Sequence, residues 1–119
     1  MTSGRMRRVD VALRGVLSDA IASDLKDPRV GFVTVTGVKT SPDLRHARVY
    51  VSVHGDERVR AASLEGLRSA HGFLQRRLAD ELTLKHTPTL TFVLDETIDR
   101  AMRITELLDD SLREPRTDG

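Results

Sequence analysis

The sequence predicts an α+β domain in which helices cover one face of a three-stranded sheet. Two segments rich in β-branched residues follow a long amphipathic helix and are separated by a short turn, and a third such segment follows a second helical stretch. The predicted order is helix, strand, strand, helix, helix, strand. Helices must bury their apolar stripe against the apolar face of the sheet, which gives a two-layer sandwich. A chain of 119 residues is long enough for one such core.

The first helix is predicted from Arg5 to about Lys26. Apolar residues recur at i, i+4, i+7, i+8, i+11, i+12 and i+16 across residues 9–25, which is the spacing of one helical face. Asp27-Pro28 ends the helix, because the residue before a proline is disfavoured in the helical region.

A β-hairpin is predicted next. Val30 to Thr40 forms the first strand, and Ser41-Pro42-Asp43 supplies a turn with proline pre-set for its second position. The second strand, Arg45 to Val53, alternates regularly. Its apolar set is Ala47, Val49, Val51 and Val53, and its opposite set is His46, Arg48, Tyr50 and Ser52. One face of the hairpin is therefore expected in the core and the other is expected to be free.

The helical stretch from Glu57 to Leu84 is too long to be straight. At about 1.5 Å per residue it would span about 42 Å, more than the diameter of about 35 Å expected for a compact chain of this length. We expect a bend at Gly72, with Gly66 as the rival position, because glycine tolerates unusual backbone angles.

The C-terminal part contains the third strand, from Thr89 to Asp95, and a weaker helical pattern from Ile98 to Leu112. Residues 1–112 are expected to form one domain, and residues 113–119 a short polar tail.

Charge is distributed unevenly along the chain. Residues 1–90 carry a net charge of +5 and residues 91–119 a net charge of −4, which the total of +1 conceals. A basic body suggests a polyanionic partner, although an ordinary solvated surface explains the charge equally well. The aromatic content of 3% argues against binding mainly by base stacking.

Composition also excludes several functions. Without cysteine the chain has no disulfide, thiolate metal site or thiol nucleophile, and this fits the reducing cytoplasm. The four histidines lack zinc spacing, and no glycine-rich nucleotide loop is present, so we expect no metal, cofactor or GTPase activity. No apolar run is long enough for a membrane helix, and no secretory signal is expected.

The interruption at Gly72 has a functional interpretation and a structural one. A helix that begins near Gly72 directs free backbone N–H groups outward, where they attract phosphate, and Arg68, Arg76 and Arg77 lie close by. Alternatively, the glycine only permits a compact corner in which His71 packs. The residues alone leave both interpretations open.

Several stretches, taken in order, resemble the bacterial ribosome-binding factor A family. They are RMRRVD, DPRVGFVTVTGVKTSPDLRHARVYVSV, the Ala70-His71-Gly72 junction, TPTLTFVLDET and RAMRITELLDD. The resemblance implies a type II KH-like fold with a mixed sheet, in which an interrupted helix of the form Ala-x-Gly replaces the usual Gly-x-x-Gly loop. It also implies a non-catalytic factor that binds the immature 30S subunit and its 16S rRNA and supports maturation of the rRNA 5′ end. Assembly GTPases and other maturation factors are implied as neighbours.

Candidate RNA contacts follow from this resemblance and from basic side chains, since the planar arginine fork pairs two phosphate oxygens. They are Arg5, Arg7, Arg8, Arg45, Arg48, Arg68, Ala70, His71, Gly72, Arg76, Arg77 and Lys85, with His86 next to the last. A single surface arginine is more often solubilising or ion-paired than a ligand contact, so the clustering carries the prediction.

Three other classes of function are considered. A helix-turn-helix DNA-binding protein would use Leu74 to Leu82 as its recognition helix, with Arg76 and Arg77 reading bases. A protein-binding adaptor would use the open sheet face. An acylphosphatase-like enzyme would need a phosphate-cradling loop after the first strand, where Thr40-Ser41-Pro42-Asp43 has no glycine cluster. We expect a monomeric binding protein that is not an enzyme.

Overall fold

The computed structural model describes residues 4–96 of the chain. The elements are α1 (Gly4–Asp19) with a π-helical turn (Ala20–Asp24), β1 (Phe32–Thr40), β2 (His46–His54), α2 (Glu57–Ser69), α3 (His71–Glu81) and β3 (Thr89–Leu94). The predicted order of helices and strands is confirmed. The helix predicted from Ile98 to Leu112 and the polar tail at 113–119 lie outside the described residues.

The three strands form one mixed sheet in the order β1, β2, β3. β1 and β2 are antiparallel, as a short hairpin turn requires, whereas β2 and β3 are parallel. Parallel strands need a long crossover, and α2 with α3 supplies it. α1 packs on β1 and α3, and α2 packs on β2 and β3, so the structure is a two-layer α+β sandwich.

The hairpin turn matches the prediction. The backbone N–H of Leu44 donates to the carbonyl oxygen of Ser41 at 2.8 Å, which closes a four-residue turn with Pro42 second. Oδ1 of Asp43 accepts from the Ser41 hydroxyl at 2.6 Å and from the backbone N–H of Arg45 at 3.0 Å. These two hydrogen bonds hold the pKa of the Asp43 carboxyl below its usual value, the Ser41 bond contributing most.

The core lies between the helices and one face of the sheet. The alternating residues of β2 are buried as predicted, and leucines of all three helices close over them. The fully buried large side chains include Leu13, Leu17, Val49, Val51, Leu67, Leu74 and Leu78. Interdigitation of these side chains fixes the positions of the helices relative to the strand ends.

The first helix ends two residues before the predicted boundary. Its last turn is π-helical, and the chain becomes extended at Leu25 instead of continuing to Lys26. The wider turn keeps Ala20 and Ile21 both buried. The following Asp27-Pro28 corner is held by Asp27, whose Oδ1 accepts from the backbone N–H of Arg29 at 2.9 Å.

Helix α2 is attached to the segment that precedes β1, and we call this contact the α2–β1 seam (residues 27–31 with Ser63 and Gly66). The hydroxyl of buried Ser63 accepts from the backbone N–H of Gly31 at 3.1 Å. A Cβ on Gly66 would lie 2.6 Å from Cγ2 of Val30, which is closer than any real contact. The seam therefore requires glycine at position 66 for close packing.

Candidate nucleic-acid interface

The long helical stretch is interrupted at a single residue. α2 ends at Ser69, α3 begins at His71, and Ala70 between them has φ −87° and ψ 8°. The break is close to the predicted position, but the bend is at Ala70, whereas the sequence pointed to Gly72. The reason is that this backbone conformation is open to any L-residue, so the bend requires no glycine.

Gly72 lies in the first turn of α3 and is exposed. Its φ is not positive, and a Cβ built on it would meet no atom within 4 Å. Neither the backbone nor the packing of the described residues therefore requires glycine here. Glycine nevertheless lowers the stability of a helix by roughly 1 kcal/mol relative to alanine. Open space at this position is compatible with close approach by a ligand.

The junction is attached to the start of β3. Nε2 of His71 accepts the backbone N–H of Leu90 at 3.0 Å, on the edge of β3 that faces away from β2. The side-chain amide of Gln75 donates to the carbonyl oxygen of Pro88 at 3.0 Å. The His71 ring thus has a structural role, and only its Nδ1 edge is left for a ligand.

Basic side chains meet where β2 and β3 begin. A groove of about 540 Å³ is lined by Arg45, His46, Lys85, His86, Thr87 and Thr89, and we call it the basic groove. The backbone N–H of Thr89 donates to the carbonyl oxygen of Arg45 at 2.8 Å, so parallel strand pairing brings its two walls together. Each basic residue is exposed, and among residues 4–96 none of them forms an ion pair.

The positive surface continues across the open sheet face. Lys39 of β1 lies directly opposite Arg48 of β2, and both are exposed. Like charges at such a pair destabilise a sheet in the absence of an anion. An Arg48 nitrogen lies 3.4 Å from the Tyr50 hydroxyl oxygen. The sequence interpretation did not include Lys39 and His46 among the candidate RNA contacts. Both alternate with more buried residues along β1 and β2, and this pattern could have identified them.

The structure brings some predicted contacts together and separates others. Arg45 and Lys85 share the basic groove, and Arg68 and Arg76 are exposed on either side of the junction. Arg7 and Arg8 are exposed near the start of α1, and Arg7 lines a different groove, between α1 and β1. The side chain of Arg5 lies outside what the structure describes.

Arg77 differs from the other predicted contacts because its guanidinium is engaged by two carboxylates. It pairs with Asp24 of the π-helical turn and with Glu81 one turn further along α3, at 2.7 Å from Nη2 to Oε2. Its charge is thereby compensated, which makes it a link between α1 and α3. The same pairing weakens the helix-turn-helix alternative, because Arg77 is one of its two base readers and α3 buries Leu74 and Leu78 against the core.

Residues 4–96 also bear on metal binding and on membrane insertion. No group of three or more histidine and carboxylate side chains there could hold a metal ion. In the same range no helix is long and apolar enough to cross a membrane.

The fold and this surface together define a class of protein, a small KH-like α+β domain with its helices on one sheet face and exposed cations at one end of the sheet. The chain belongs to the ribosome-binding factor A family, whose sequence model matches residues 5–108.

Individual relatives agree with this assignment. Ribosome-binding factor A of Anaeromyxobacter sp. strain K is 54% identical over 99% of this chain and 83% of its own length. The crystal structure of ribosome-binding factor A from Thermus thermophilus superposes with a TM-score of 0.68 at 28% identity, covering 75% of this chain and 93% of that one. A homology model of the Thermus thermophilus factor, fitted into the cryo-EM map of its complex with the 30S subunit, gives a TM-score of 0.61 at 29% identity, covering 72% and 90%.

Proposed function

We propose that this protein is a non-catalytic assembly factor that binds the immature 30S subunit through 16S rRNA and supports late maturation, including processing of the rRNA 5′ end. The observation that carries the proposal is the basic groove beside the junction. It combines four basic residues without ion pairs among the described residues and an open Gly72 nearby. The family assignment supports the ribosomal partner, as does the 30S complex of the Thermus thermophilus relative.

Phosphate recognition is the binding mode that these residues favour. Arg45 offers a planar fork and Lys85 a point charge, and both line the basic groove. Base stacking contributes less, because among the described residues no aromatic side chain other than histidine lines the groove. Contacts to phosphates fix position and orientation, so selectivity comes from the shape of the RNA.

The mechanism is differential affinity. A protein that binds the immature rRNA arrangement more tightly than the mature one shifts the population toward the immature arrangement. Maturation then lowers the affinity, and the factor dissociates without any bond being made or broken by the protein. Processing of the 5′ end is carried out by a separate nuclease acting on the RNA that this factor holds in place.

The experiment is co-sedimentation of the purified protein with isolated 30S subunits, with 50S subunits and 70S ribosomes as controls. We expect selective binding to 30S subunits that is lost at high salt, since phosphate contacts release counterions. Arg45→Glu with Lys85→Glu should weaken binding by about tenfold or more. Arg58→Glu is the matched control, because Arg58 is exposed on α2 and does not line the basic groove.

Processing is tested separately in cells that lack the native factor. The unaltered chain and the Arg58→Glu variant should restore the mature 16S 5′ end, and the doubly reversed variant should leave precursor. Absence of sedimentation with any ribosomal particle would contradict the proposal, and so would undiminished 30S binding by a folded double variant.

A further inference from the structure

A second groove lies between α1 and β1, the edge strand on the far side of β2 from β3. It has a volume of about 350 Å³ and is flanked by Arg7 and Arg14 from α1 and by Lys39 from β1. Val11 and Val38 provide its apolar surface, and Val11 is 65% exposed. We call it the α1–β1 groove. Arg14 and Lys39 are not among the contacts predicted from the sequence.

The walls of this groove are held in place by one side chain. Oδ1 of Asp10 on α1 accepts from the backbone N–H of Thr40 at 3.0 Å and from its hydroxyl at 2.7 Å. Thr40 is buried, so these bonds fix α1 to the end of β1. Within the part of the chain that the structure describes, Asp10 is the one carboxylate that lines the groove, and its oxygen is already engaged by two donors.

Gly37 lines the groove at a β-bulge, where the pairing register of β1 shifts between Val35 and Gly37. Its φ is not positive, and a Cβ built on it would meet no atom of residues 4–96 within 4 Å. A glycine weakens a strand, and where folding does not require it a glycine often marks close approach by another backbone. Position 37 of β1 thus repeats the feature seen at Gly72 of α3.

The charge of the groove indicates an anion. Arg7 and Arg14 lie two helical turns apart on one face of α1, about 10 Å along the axis, with Lys39 on the opposite wall. All three are exposed and have no ion pair within residues 4–96. The two grooves are joined by a pocket that Lys39, His46 and Arg48 line. Lys39 also lines the α1–β1 groove and His46 also lines the basic groove, so the positive surface is continuous between them.

We infer that the α1–β1 groove binds the sugar–phosphate backbone of a second rRNA segment. The occupant is RNA, since the groove is continuous with the basic groove, has cations on both walls and has a glycine at the β-bulge that leaves room for a close approach. This inference rests on the proposed function and extends it. The domain would then hold two RNA segments, one where β2 and β3 begin and one beside β1.

The first test measures the affinity for 30S subunits across a salt series. The double variant Arg14→Gln with Lys39→Gln should make the negative slope of log K against log salt shallower by about 1.5. It should also weaken binding about tenfold at 0.1 M salt. Gly37→Glu should also weaken binding, since its side chain enters open space and places a negative charge in the groove. Arg58→Gln is the control and should change neither quantity. An unchanged slope and affinity in the folded double variant overturns the inference and favours an acidic peptide as the occupant.

The second test uses the absence of cysteine, which allows a single reactive site to be introduced. Gly15→Cys lies one turn beyond Val11, and Ser69→Cys lies beside the junction, and both positions are exposed. An iron chelate on each cysteine should cleave 16S rRNA in 30S complexes at two separate sets of nucleotides. Cleavage from position 69 alone, or one shared set from both positions, overturns the inference while the proposed function stands. Cleavage from neither position overturns both.

Discussion

Two glycines six residues apart in the same helical stretch have opposite surroundings. Gly66 is buried in the α2–β1 seam, where a Cβ would collide with Val30. Gly72 is exposed at the junction, where a Cβ would meet nothing. The fold explains the first glycine and does not explain the second. The comparison shows that a glycine's surroundings, more than its presence in a helix, separate a glycine that packing requires from one that the fold leaves free.

The largest effect is expected from Gly66→Val. The added side chain overlaps Cγ2 of Val30, and overpacking of this kind typically costs about 2 to 3 kcal/mol. Gly72→Val is the matched change and should alter stability by about 0.5 kcal/mol or less, since valine and glycine are both weak helix formers. Chemical denaturation of both variants measures the difference. Equal losses at the two positions would remove the distinction between them.

His71→Ala should have the next largest effect on stability. It leaves the Leu90 N–H without its acceptor at a buried position of β3, which costs about 1 to 3 kcal/mol. His71→Gln supplies another acceptor and should recover part of the loss. Denaturation midpoints test the stability, and 30S affinity measured on folded protein tests the predicted RNA contact. A stability loss with normal affinity would make His71 a positioning residue only.

Gly72→Ala should separate stability from binding. Replacing a helical glycine in open space should stabilise the fold by about 0.5 to 1 kcal/mol. The same methyl group obstructs close approach of RNA, so the affinity for 30S subunits should fall. Thermal melts and the sedimentation assay measure the two quantities on one variant. An increase in stability with unchanged affinity would show that ligand backbone does not come close to position 72.

The smallest effect concerns pH and the α2–β1 seam. The Arg29 guanidinium bonded to Asp27, together with the Arg29 backbone N–H, holds the pKa of the Asp27 carboxyl below its usual value. This contribution to stability is present above about pH 3.9, the unfolded value, and is lost as pH falls through the lower folded pKa. Asp27→Asn should therefore be less stable at pH 7 and show a smaller loss on acidification. Denaturation at pH 7 and pH 3 tests this, with Asp43→Asn as a comparison at the hairpin turn.

Much of the fold could be predicted because local patterns determine it. Alternation along β2 identified the buried face, and the boundaries of all three strands were predicted to within two residues. The π-helical turn could not be predicted, since the apolar spacing continues past it to Leu25. The bend could be expected from length alone, but its location at Ala70 could not, because alanine carries no signal for that backbone conformation.

The candidate site was less accessible from sequence because strand pairing assembles it. Arg45 and Lys85 are forty residues apart and meet only because β2 and β3 are parallel in one register. Asp24 compensates Arg77 across 53 positions, which helical spacing cannot reveal. The resemblance to a known family supplied the functional interpretation of the junction, and the three-dimensional structure supplied Arg14 and Lys39.

A one-residue connection between α2 and α3 has a consequence for timing. Ala70 is hydrogen-bonded to the end of α2 through its N–H and to Leu74 of α3 through its carbonyl oxygen, so the junction cannot change shape without unwinding a helical turn. On our proposal this part of the binding surface is therefore a fixed template, which loses little conformational entropy when the ligand binds. A surface of fixed shape cannot trigger its own release. On our proposal, a change in the RNA therefore determines when the factor binds and when it dissociates.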